Sequence, residues 1–186
     1  MADFISNLTG EQALQILRRL ADKGGSLAET VRDEAKDILA VVDIDETAEE
    51  VFFYLDCIDV HDCWDKSGPS RHGYTSPDDA AAELIEKELQ PFLDQPDRYH
   101  DLGMAEQERD YCMGIVLGAY QYEHESKAEF KGWCTDIPLE YVGDLLDRWR
   151  ARKHNPSASV EMDEFIRRRC PEWARYLIRS HDRPSV

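Results

Sequence analysis

Apolar residues recur at intervals of three and four along most of this chain, and one stretch is apolar on every side. Between Met104 and Glu125, the residues Met104, Tyr111, Cys112, Ile115, Val116, Ala119 and Tyr122 define one helix face, while Met113, Leu117 and Tyr120 fill the other. The pattern predicts a helix buried all round, roughly 33 Å long. Gly114 and Gly118 lie one turn apart within it. Each costs up to about 1 kcal/mol relative to alanine in a helix, so a neighbouring backbone is expected to approach closely there. A membrane span needs roughly twenty apolar residues, and this stretch is far too short.

The remaining elements read in order as helices. Thr9 with Gln12 forms a capping box before ALQILRRLA, and Ser26 with Glu29 forms a second before LAETVRDEAKDILAVV. Lys23-Gly24-Gly25 breaks the two, predicting a helical hairpin over 9–42. IDETAEEVFFYLDCIDV is rich in strand formers, yet Ile44, Ala48, Val51, Leu55 and Ile58 keep helical spacing, which predicts a helix with an acidic outer face. A loop is expected over 65–74, followed by a helix with Ser76 as N-cap and Pro77 at its first position. Ala81, Leu84, Ile85, Leu89, Phe92 and Leu93 form its apolar face; Pro91 should kink it, and Pro96 and Gly103 should punctuate the approach to the central helix.

Pro138 sits near the start of the next helix, with Leu139, Val142, Leu145, Leu146 and Trp149 inward. HNPSAS reads as a linker, and Phe165, Ile166, Cys170, Trp173, Ala174, Leu177 and Ile178 resume helical spacing, divided at Pro171. These patterns predict an all-α fold of antiparallel helical hairpins, a bundle resembling a right-handed α-α superhelix around the central helix 104–125. An acidic domain over 1–153 is expected to carry a linker and a basic amphipathic segment, 154–186, packed on it.

Charge sharpens that division. The chain carries −17, but the last 39 residues hold ten basic against five acidic residues, net +5, leaving −22 on the first 147. An acidic surface repels phosphate, which argues against nucleic acid as the principal partner. Five cysteines without a C-x-x-C pair, and a start without a basic or apolar leader, fit a cytoplasmic protein.

The hairpin, EEVFFYLDCIDVHDCWDKSG, the RHGYTSPDDAA junction, LGMAEQERDYCMGIVLGAYQYEHESKAEFKGW and the helix ending LDRW resemble the α-helical region associated with SWIM zinc-finger proteins of bacteria and archaea. The resemblance covers roughly residues 9–150 and implies a helical module that interacts with DNA or other proteins. The finger's C-x-C and C-x-H pairs are missing from this sequence, so its zinc site does not carry over.

Four constellations bear chemistry. Cys57 and His61, four apart on a predicted helix, together with Cys63 and His72 from the following loop, could supply four metal ligands; the alternative is ordinary packing. Glu46 with Glu49 or Glu50, and Glu83 with Glu86, have the spacing by which all-α nucleotide pyrophosphohydrolases hold magnesium, a spacing that solvated helix faces share. Lys66, Ser67, Ser70, Arg71, His72 and Tyr74 lie in a glycine-containing loop that could cradle an anion or simply connect helices. Arg167, Arg168 and Arg169, with Arg175 and Arg179, could touch nucleic acid, a membrane or an acidic protein, or could dock on the chain's own acidic part. With no catalytic motif among them, the expectation is a non-catalytic protein-interaction or scaffold module needing no cofactor and no membrane, with a protein partner. A nucleic-acid-associated module and a magnesium-dependent pyrophosphohydrolase are the alternatives.

Overall fold

The computed structural model describes residues 5–70, 73–152 and 154–178 and is all-α apart from one two-stranded ribbon. Arg71, His72 and Arg179 lie outside the described residues. No described helix is long and apolar enough to cross a membrane. The chain forms two compact units, Met1–Val41 and Val42–Val186.

The first unit is a helical hairpin of α1 (Gly10–Asp22) and α2 (Gly25–Leu39). Thr9 caps α1 through the predicted box: its side chain accepts from the Gln12 amide, and the Gln12 side chain accepts from the Thr9 amide. The second predicted box does not form. α2 begins at Gly25 with Gly24 as N-cap at φ +69°, a left-handed conformation that glycine alone adopts cheaply. The tight turn therefore starts the helix earlier than a Ser26 cap would allow, and the Ser26 carbonyl instead accepts from the Thr30 hydroxyl.

The second unit contains α3 (Ile44–Asp56), α4 (Val60–Lys66), α5 (Pro77–Asp101), α6 (Ala105–Glu125), α7 (Ile137–Ala151), α8 (Pro156–Arg169) and α9 (Ala174–Leu177). Strands β1 (Gly68–Ser70) and β2 (Gly73–Thr75) pair antiparallel between α4 and α5, and a 3-10 turn spans Glu129–Trp133. The core is continuous, and α6 runs through it with every residue from Cys112 to Ala119 buried.

The closest packing joins α6 to α3. A Cβ at Gly114 would lie 2.5 Å from Thr47 Cβ and 3.0 Å from the Ile44 carbonyl oxygen. At Gly118 it would lie 2.7 Å from Val51 Cβ and nearer still to the Ala48 carbonyl oxygen. Both glycines thus admit the α3 backbone, the close approach their spacing predicts. Successive glycines meet successive turns of α3, so the two helices run in the same direction. Their C-terminal ends are tied together where the Ser126 hydroxyl donates to Asp56 at 2.5 Å.

Several boundaries differ from the sequence reading for local reasons. α3 stops at Asp56, because Asp59 accepts from the His61 amide and so starts α4 as a separate helix. α5 continues through both Pro91 and Pro96. Leu89, Phe92, Leu93, Pro96 and Tyr99 are all buried, and this tertiary burial offsets the amide hydrogen bonds lost at the prolines. HNPSAS is a linker only in part: Asn155 accepts from the Ser157 amide and Pro156 opens α8.

Candidate protein-binding groove

On α3, Ala48, Val51 and Leu55 are directed into the core, so helical geometry sends Glu46, Glu49, Glu50 and Phe53 outward. Gln121 and Glu125 stand beside buried Tyr122 near the end of α6. The glycine contact draws the two backbones together, and side chains of both helices flank the seam. They line an open groove of about 810 Å³ formed by Glu46, Glu49, Glu50, Phe52, Phe53, Tyr54, Gln121 and Glu125.

Aromatic and acidic side chains line this groove together. Phe53 is 62% exposed and Tyr54 47%. Their rings meet edge to face at 6.1 Å, and Tyr54 meets Phe92 of α5 in the same manner at 5.4 Å. These contacts hold the two α3 aromatics at the surface. Glu46, Glu49, Glu50 and Glu125 are exposed around them.

Glu83 and Glu86 do not line this groove. Glu83 lies 3.9 Å from Lys66, and Glu86 is hydrogen-bonded to Tyr141 of α7, whose phenol is pushed up by burial and by Glu86. Among the described residues, no group of three or more histidine, cysteine, aspartate and glutamate side chains is arranged to hold a metal. Cys57 is exposed at the end of α3 and His61 belongs to α4, so they do not share a helix face. Cys63 is buried and its thiol donates to the Pro77 carbonyl at 3.3 Å; burial, then Asp78, push this thiol up, keeping it protonated. His72 lies outside the described residues.

The predicted anion loop is a β-ribbon in which Gly68 pairs with Thr75, Pro69 with Tyr74 and Ser70 with Gly73. Part of its backbone hydrogen-bonding capacity goes to the ladder. The Ser67 hydroxyl donates to the Trp64 carbonyl at 2.9 Å, while Tyr74 is 71% exposed. Of the three consecutive arginines, Arg169 donates to Asp45 of α3 at 2.6 Å, and Arg167 and Arg168 are exposed in the last turn of α8. Phe165, Ile166, Trp173 and Leu177 are buried in the core that α6 organises.

One constellation escaped the sequence reading. Glu108 in the first turns of α6 is completely buried, and Arg152 donates to it at 2.5 Å while also donating to Asp97. Arg148 lies 3.8 Å from Asp97, and His100 Nδ1 lies 3.4 Å from the second Glu108 oxygen without hydrogen-bond geometry. Burial pulls the Arg152 guanidinium down, but the hydrogen bonds it donates to Asp97 and Glu108 outweigh this and raise it overall. The cluster ties together the end of α5, the start of α6 and the end of α7. A signal existed: Glu108 precedes Cys112 by four and Ile115 by seven, placing it on the apolar stripe.

No protein-family model, curated protein or solved structure matches the chain.

Proposed function

We propose that the protein is a non-catalytic interaction module whose α3–α6 groove receives a basic amphipathic segment of a partner protein. The observation that carries this reading is the exposed Phe53–Tyr54 pair lining one groove with four exposed glutamates. Aromatic anchors within a polar rim are the usual composition of an interface, and a helix laid in a groove presents its anchors at three- and four-residue spacing. The acidic side chains select lysine and arginine and speed encounter, while the rings supply most of the affinity. The likeness to SWIM-associated helical regions fits an interaction role. The basic C-terminal residues favour nucleic acid less, because Arg150 and Arg169 already pair with Asp163 and Asp45.

A fluorescently labelled peptide with leucines at helical spacing and lysines elsewhere is the probe, followed by anisotropy. Binding is expected to weaken at least tenfold, about 1.4 kcal/mol, in Phe53→Ser and in the pair Glu49→Lys with Glu50→Lys, and to fall with salt. The same peptide with glutamate in place of lysine should not bind. Equal binding by wild type and both variants would overturn the proposal.

A further inference from the structure

The N-terminal hairpin has a strongly amphipathic sequence and almost no core. Within α1 no residue is buried, and within α2 only Ala28 is. Leu14 and Leu17, three apart on α1, are 46% and 48% exposed, while Leu27 and Ile38, eleven apart on α2, are 45% and 74% exposed. Eleven residues are close to three helical turns, so the α2 pair shares a stripe just as the α1 pair does. Helices of 13 and 15 residues are marginal alone in water, and units below about 40 residues usually need a staple or an oligomer. The described residues contain no disulfide and no metal-binding cluster that could act as a staple.

We infer that this hairpin is a homodimerisation element, in which a second copy of the chain lays its hairpin against the first to complete a four-helix bundle. Charge selects the occupant. Residues 1–41 carry seven acids and five bases, net −2, against −15 for the remainder, so this is a stretch where two copies of an acidic chain meet without strong repulsion. The α1 charges are also self-complementary under a twofold axis. Glu11 and Arg18 lie three before and four after Leu14, so both flank the leucine stripe; with two α1 helices antiparallel and the axis near Gln15, Glu11 of one copy stands near Arg18 of the other, and the relation repeats in reverse. Leu14 and Leu17 then lie close to the axis, where both copies contribute them. Four-helix bundles close such stripes by the same packing. A dimer built in this way would carry two copies of the α3–α6 groove and engage a repeated partner with avidity; the pairing itself does not depend on that groove.

Sedimentation equilibrium of the full chain across the micromolar range tests the inference. The wild type is expected to reach twice its 21.5 kDa mass, and Leu14→Glu with Leu17→Glu to remain at the monomer mass. Because those changes could also unfold the hairpin, surface charges provide the second arm. Glu11→Arg alone should weaken the dimer at least tenfold, and adding Arg18→Glu should restore it, since the pair is then reversed in both copies. A wild type that stays monomeric, or a dimer indifferent to the leucine changes, would overturn the inference. Failure of the charge reversal to restore association would overturn the antiparallel arrangement of α1.

Discussion

α1 and α6 make opposite uses of apolar sequence. α1 has the more regular stripe, with leucines and isoleucine on one face and charges on the other, yet none of its thirteen residues is buried. α6 is apolar on both faces in its middle, interrupted by two glycines, and ten of its 21 residues are buried. A clean amphipathic stripe identifies a face that needs a cover, without saying that the chain provides one. An element apolar all round can only exist inside, and its glycines record what comes closest. Amphipathicity is thus a statement about direction, whereas the absence of polarity is a statement about depth.

Substitutions can break this comparison. The largest effect is expected from Arg152→Met, which leaves Glu108 buried without its cation and should cost about 3–5 kcal/mol. All four tryptophans lie between Val42 and Val186, so their fluorescence in a denaturant titration reports on that unit. On the same readout Ile115→Ala, fully buried in α6, should cost about 2–5 kcal/mol. Leu17→Ala in α1 should leave it within about 0.5 kcal/mol of wild type. Comparable losses from the two would erase the distinction between the regions.

A smaller effect is expected from pH. The Tyr111 phenol on α6 is pushed up to about 12 by burial and then by Glu50. Because the folded value exceeds the ordinary one near 10, its contribution is fully present below about pH 10 and is lost as pH rises through about 12. Ultraviolet titration should show several late-ionising tyrosines, with Tyr122 and Tyr141 also pushed up by burial, and Tyr111→Phe should remove one of them; ionisation of all tyrosines near pH 10 in folded protein would contradict this.

Much of this was legible from spacing alone. The all-α class, the central helix and the meaning of Gly114 and Gly118 follow from period and propensity, because only a close neighbour offsets two glycines in a buried helix. The helix over 44–56 was legible once periodicity was ranked above the strand preference of Val51, Phe52 and Phe53. What escaped was set by tertiary context. Pro91 and Pro96 stay inside α5 because burial on either side outweighs two missing amide bonds. The turn at Gly24 overrides the Ser26 box through a positive φ that sequence does not announce. The groove was invisible because its residues come from two helices far apart in sequence, whose ends at Asp56 and Ser126 are 70 positions apart. Glu83 and Glu86 meet Lys66 and Tyr141 and do not join Glu46, Glu49 and Glu50 in the groove. Glu108 sits on the apolar stripe, but its partner Arg152 lies 44 positions away, a pairing that spacing does not announce.

The central claim is that the α3 backbone packs directly on the glycine face of α6. Gly118→Ala tests it most directly, followed by tryptophan fluorescence in a denaturant titration. In an open helix this change would stabilise by up to about 1 kcal/mol, since alanine is the better helix former. Here the new methyl would meet the Ala48 carbonyl oxygen and Val51 Cβ, and forcing those groups apart should instead cost about 1–3 kcal/mol. A destabilised Gly118→Ala protein is the predicted result; one as stable as wild type, or more so, would contradict the account.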